Sequence, residues 1–203
     1  TSGTFHLVEG GPPHDPADAI GRGVGRLAED RHKDGMVGDM TVAENLVIEA
    51  RNAPAYQRFG LMRLGAVAAT KTAITDFDVR CPGPTAPLRL LSGGNIQKLL
   101  LARALAGSRK LILANQPTRG LDVGATGEVH ERLREAARGG AGVLLISEDL
   151  DEIFALANRI AVMHGGHLTA AVDARQLDVE AIGLAMAGQP GDVFLAAPQG
   201  DAA

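Results

Sequence analysis

Leu111-Ile112-Leu113-Ala114-Asn115-Gln116-Pro117-Thr118-Arg119-Gly120-Leu121-Asp122 decides the fold. Its first four residues are apolar and uncharged, the pattern of a strand buried on both faces. Polar residues, Pro117 and Gly120 then force a turn. In α/β sheets, ligand chemistry gathers where a strand ends in such a turn. Upstream, Ile96, Leu99, Leu100 and Ala104 share one face of a helix predicted over 92–106. Downstream, a helix is expected over 124–137, a second buried strand over 142–147 and a third helix over 149–157. Strand and helix alternate, so the sheet is predicted to be parallel.

The remainder of the chain is arranged around this core. Short strands are expected at 4–8 and 24–28, with a helix near 15–20 carrying Pro16 in its first turn. Thr41-Val42-Ala43-Glu44 reads as a capping box that opens a helix running to about 50. Residues 61–77 look helical, and three prolines make 80–87 a loop. Residues 40–90 are therefore read as a helical subdomain inserted between two α/β pieces. Gly165-Gly166, between apolar runs at 160–163 and 167–172, predicts an antiparallel hairpin. A last helix is expected over 177–186, followed by a flexible tail from 188 to 203.

Composition narrows the function. Apolar residues make up 45% and charged residues 22% of the 203, the balance of an ordinary globular chain. A net charge of −4 and 3% aromatic residues argue against a nucleic-acid binder, which needs a basic patch or stacking rings. The lone Cys81 excludes an internal disulfide and a cysteine-based zinc site. None of the six histidines shows paired metal-ligand spacing, so no metal site is expected. The apolar runs are too short to cross a bilayer as a helix.

Leu91-Ser92-Gly93-Gly94-Asn95-Ile96-Gln97-Lys98 carries the sharpest chemical signal. Two glycines and a hydroxyl residue stand at the start of a helix. There the backbone N–H groups lack intrahelical partners and the helix dipole is positive, so an anion can approach closely.

In this order and spacing, 91–98 and 111–122 resemble the signature motif, Walker B strand and D-loop of ATP-binding cassette (ABC) ATPases. Residues 116–125 look like the second cassette of the tandem ATPases that serve simple-sugar and nucleoside importers. Glu29-Asp30-Arg31-His32-Lys33-Asp34-Gly35-Met36-Val37 resembles the Q-loop region of that family, and Ser147-Glu148-Asp149-Leu150-Asp151-Glu152-Ile153 its switch region. The resemblance implies an α/β fold over 1–187: a partial P-loop NTPase core with a parallel sheet, the helical subdomain at 40–90, the Walker B and signature core at 91–172, and a small antiparallel hairpin.

The chain also departs from the family pattern. A phosphate loop requires Gly-x-x-x-x-Gly-Lys-[Ser/Thr], and no Gly-Lys pair occurs here. The nearest string, Gly65-Ala66-Val67-Ala68-Ala69-Thr70-Lys71-Thr72, is read as plain helix. In the family the missing loop lies just before a segment like Thr1-Ser2-Gly3-Thr4, and losing its strand should expose an apolar seam. Asn115 matches the Walker B aspartate, Gln116 the catalytic glutamate, Glu148 the switch histidine and Glu29 the Q-loop glutamine. An amide orients water but does not take its proton, which typically costs on the order of 10²–10⁴ in rate.

The resemblance therefore implies a subunit of a sugar or nucleoside importer. Leu91, Ser92, Gly93, Gly94, Gln97 and Asp122 would face ATP held by a second cassette. ATP and Mg²⁺ are expected only in the assembled transporter, with none for this chain alone. Transmembrane permease subunits and, indirectly, a solute-binding protein would be partners, at the inner face of the cell membrane. A non-hydrolytic regulatory or scaffold module is the competing reading.

Overall fold

The computed structural model describes residues 11–50, 57–58, 61–62, 64–189 and 191–195. The strand expected at 4–8 lies outside them. The described residues divide into two packed units, Pro12–Ile146 and one that starts at Ser147.

The first unit is built on a parallel sheet in the order β1 (Val24–Leu27), β4 (Leu111–Asn115), β5 (Gly142–Ile146). Leu27 pairs with Ala114 and Asn115 with Ile146, so the ends of β4 and β5 lie level. Helix α1 (Pro16–Gly21) precedes β1 and is capped by Asp15, with Pro16 in its first turn as expected. A π-type turn follows at Arg31–Gly35. Thr41 and Glu44 form both arms of the capping box on α2 (Val42–Val47), an arrangement worth about 1 kcal/mol. The helix then tightens into a 3₁₀ turn at Ile48–Ala50.

The helix predicted over 61–77 starts later than its apolar spacing suggested. Leu61–Met62 (β3) pairs antiparallel with Gln57–Arg58 (β2), and α3 runs over Leu64–Asp76. The Gly65 string is helix, in line with the sequence reading.

Helix α4 (Gly93–Leu105) organises this unit, packing against β1, α2, α3 and α5 (Val123–Arg138). Leu99, Leu100 and Ile112 are fully buried, each contributing about 1.5–3 kcal/mol through area removed from water. Gly25 of β1 lies so close to the Ala104 carbonyl of α4 that a Cβ there has no room. Near the far end of α4, buried Arg103 donates to the carbonyls of Gly35 and Asn45 and stands 3.3 Å from Glu49. One side chain thus ties the 31–35 turn to α2. At β5, Leu144 and Ile146 are 50% and 52% exposed, and among the described residues this strand bonds only to β4.

The second unit holds α6 (Leu150–Leu156), α7 (Val179–Met186) and α8 (Asp192–Leu195). It also has two antiparallel strand pairs: β6 (Arg159–Ile160) with β9 (Val172–Asp173), and β7 (Met163–His164) with β8 (His167–Leu168). Gly165 and Gly166 both have positive φ, and His164 pairs with His167 across them, so the expected hairpin is present but shorter. Ile160, Val162, Val172, Leu177, Ile182 and Phe194 share one apolar core. The tail expected to be flexible therefore contributes Phe194, 3% exposed, to that core: burying a large aromatic outweighs the loop-like composition around it.

Candidate functional site

The tip of α4 is the most chemically prepared feature of the first unit. Ser92 is its N-cap, in an extended conformation, and Gly93 and Gly94 open the helix. The first-turn N–H groups have no partner within the helix, and the dipole is positive there. Nothing lies within 4 Å of where a Cβ on Gly94 would stand. Ser92 is exposed, and its side chain caps no backbone N–H of the helix. Instead its Oγ accepts a hydrogen bond from Asn95 Nδ2 at 2.8 Å, and Asn95 Oδ1 accepts from the Arg80 N–H at 2.7 Å.

Ser92 and Gly94 line a cleft of about 270 Å³ shared with Lys98, Asp122 and Glu128. The carboxylates in it are already engaged. Asp122 caps α5 by accepting from the Ala125 N–H at 2.9 Å. Glu128 stands 2.9 Å from Lys98, whose ammonium also reaches Asp78 at 3.2 Å. Burial opposes the Lys98 charge, but the hydrogen bonds to Glu128 and Asp78 outweigh it and hold the group above its ordinary range. Open amides and an exposed hydroxyl suit an anionic oxygen.

This tip is tied to the polar turn after β4. Buried Gln97 donates from Nε2 to the Pro117 carbonyl at 2.6 Å. Arg31 donates from Nη1 to the Arg119 carbonyl at 3.1 Å. The same guanidinium lies against Gly93: a Cβ there would meet Nη2 at 2.9 Å. Arg119 in turn pairs with Glu29. Gln116, just past β4, has φ of +48° while its N–H donates to Ile146. Left-handed backbone at a non-glycine residue costs about 1–2 kcal/mol and marks a turn that its surroundings fix.

Four of the six residues expected to face a nucleotide cluster here: Ser92, Gly93, Gly94 and Asp122. The other two, Leu91 and Gln97, lie behind it. Leu91 is buried, and Gln97 is 4% exposed with its amide turned to Pro117, so both support the tip rather than line it. A helix presents only part of its first turn, and Gln97 falls on the side that faces the core. Asn115 and Gln116 sit half-buried at the end of β4, and Glu29 is exposed in its ion pair. Glu148 belongs to the second unit, exposed, beside Asp149, which caps α6 by accepting from Asp151 and Glu152. Glu152, in the same first turn, is buried. No group of metal-ligating side chains occurs among the described residues.

Sequence reasoning missed Arg31, Asn95 and Arg103. All three act across gaps of chain that no local pattern records, although Asn95 lies inside the quoted motif.

No family model matches the chain. It is 40% identical over 167 residues to the guanosine import ATP-binding protein NupO of Bacillus subtilis, covering 82% of this chain and 33% of that protein. It is 38% identical over 174 residues to the nucleoside import ATP-binding protein NupA of Lactococcus lactis subsp. cremoris, covering 85% and 34%. It is 38% identical over 186 residues to the ribose import ATP-binding protein RbsA 1 of Rubrobacter xylanophilus, covering 90% and 37%. The chain thus spans about a third of the length of the curated relatives it matches. Among solved structures, it aligns with a dimeric, post-hydrolysis ATP-binding cassette bound to ADP and Pi at a TM-score of 0.60 and 21% identity, over 75% of this chain and 63% of that one. An inward-facing metal-chelate type ABC transporter aligns at 0.64 and 20% identity, over 83% and 64%.

Proposed function

We propose that this chain, a homologue of sugar and nucleoside import ATP-binding proteins with the fold of ABC ATPases, is part of the ATP-binding subunit of such an importer. Its α4 tip engages ATP held by a second cassette. The observation that carries this reading is the open, amide-lined tip of Ser92, Gly93 and Gly94, fastened to the polar turn after β4.

ATP, with Mg²⁺, supplies the phosphoanhydride bond whose cleavage drives transport. The residues of this chain bind and orient. Ser92 donates its hydroxyl proton to a terminal phosphate oxygen, and the amides of Gly93 and Gly94 add hydrogen bonds along the helix dipole. Asp122 couples the two nucleotide sites from the cap of α5. Asn115 and Gln116 hold amides where the family carries carboxylates, so a site built on them orients water without accepting its proton. The pair of cassettes is then asymmetric, with one working site. Transmembrane permease subunits receive the closing movement through residues 40–90, and a solute-binding protein delivers the solute. The chain acts at the inner membrane face, and no helix among its described residues is long and apolar enough to cross a membrane.

The deciding experiment is Ser92→Glu in the assembled transporter, with ATP-driven uptake of ribose and of guanosine as readout. A carboxylate at the tip repels phosphate, so uptake is expected to fall to background. Unchanged uptake overturns the proposal. The amides at Asn115 and Gln116 favour a second reading, a regulatory module that binds a partner without hydrolysis. That reading predicts partner binding that survives Ser92→Glu and uptake that never depended on Ser92.

A further inference from the structure

Asn95 stands in the first turn of α4, one turn after Ser92, with its carboxamide held at both ends. Oδ1 accepts from the backbone N–H of Arg80 at 2.7 Å, and Nδ2 donates to Ser92 Oγ at 2.8 Å. A backbone N–H only donates, so the carbonyl end of the amide must face Arg80. The amino end therefore faces Ser92. Hydrogen-bond chemistry fixes this orientation, independently of how the two amide atoms are told apart.

Two consequences follow for Ser92. An N-cap serine ordinarily turns its oxygen onto the N–H two or three residues ahead. Here the oxygen is drawn to Asn95 Nδ2, and Ser92 makes no cap bond, so the first-turn N–H groups stay open. Because the oxygen accepts from Asn95, the hydroxyl proton is left to point outward from an exposed residue. The carboxamide turns a helix cap into a hydrogen-bond donor.

We infer that Asn95 is a positioning residue that presents the Ser92 hydroxyl as a donor to an anionic phosphate oxygen. This rests on the nucleotide reading above and adds to it the residue that sets the direction of the Ser92 proton. Arg80 is part of the device: its N–H anchors the amide, so the 78–80 segment, itself held by Lys98 at Asp78, orients the tip from outside the helix.

The test is a mutant cycle in the assembled transporter, reading kcat/KM for ATP. Asn95→Ala is expected to lower it about 10- to 100-fold, the worth of one hydrogen bond to a charged oxygen. In a Ser92→Ala background the same substitution is expected to change it less than about twofold, because the group it orients is gone. Asn95→Asp keeps the acceptor for Arg80 but loses the donor and captures the serine proton, so it too is expected to lose activity with its thermal unfolding midpoint unchanged. A purely structural Asn95 predicts an equal loss from Asn95→Ala with and without the Ser92 hydroxyl. That result, or wild-type activity for Asn95→Asp, overturns the assignment. If Ser92→Ala alone changes nothing, the nucleotide reading itself has failed.

Discussion

Gln97 Nε2 donates to the carbonyl of Pro117 at 2.6 Å, across twenty residues of sequence. This bond joins the first turns of α4 to the turn that ends β4, and both groups are buried. Replacing Gln97 by Leu keeps the volume and strands the carbonyl. A buried acceptor left without a donor costs about 1–3 kcal/mol. Urea denaturation of the two proteins should show that loss at unchanged m-value.

The glycines separate fold from function. Alanine at Gly25 meets the Ala104 backbone, which cannot swing aside, and overpacking of this kind typically costs about 1–3 kcal/mol or more. Alanine at Gly94 meets nothing within 4 Å, and removing a helical glycine is worth up to about 1 kcal/mol. Gly94→Ala should therefore raise the unfolding midpoint while lowering ATP-driven uptake, because the methyl group fills space a ligand needs. Gly25→Ala should lower the midpoint.

Arg103 gives a third expectation. Burial lowers its pKa, and Glu49, 3.3 Å from Nε though without hydrogen-bond geometry, works in the opposite direction. Arg109 reaches the same carboxylate at 3.9 Å. Glu49→Ala leaves two arginines facing one another with no counter-charge. Removing one partner of a buried pair costs about 3–5 kcal/mol. Thermal unfolding should show the loss, with hydrogen exchange rising first in the 31–35 turn that Arg103 holds.

Acid stability has a local signature in the second unit. Hydrogen bonds from the Arg175 side chain and backbone N–H lower the Asp173 pKa from 3.8 to about 2. A carboxyl depressed in the folded state stabilises above its unfolded pKa, and that contribution fades as pH falls through the folded value. The contribution is thus complete above pH 3.8 and lost on the way down to about 2. Asp173→Asn should flatten the pH dependence of the urea midpoint within that window and leave it parallel to wild type at neutral pH. The effect is small, because Arg175 is exposed and Asp173 only half-buried.

Local sequence settled the secondary structure wherever the signal was periodic or chemical. The run at 111–114, the apolar face of α4, the Thr41–Glu44 box and Gly165-Gly166 each dictate their structure through neighbours within about four residues. It also located the helix tip at Ser92 and its glycines, since a backbone that must stay unobstructed has few alternatives to glycine. Tertiary structure decided which side chains of that motif look outward. Leu91 and Gln97 turn inward, while Arg80, fifteen residues before Asn95, orients the serine, and Arg31 reaches a carbonyl eighty-eight residues away. Such contacts join chain segments that only the packed fold brings together, and hydrogen-bond direction depends on the partner found there. The same holds for Phe194: a loop-like composition says nothing of an apolar core whose other members reach back as far as Ile160.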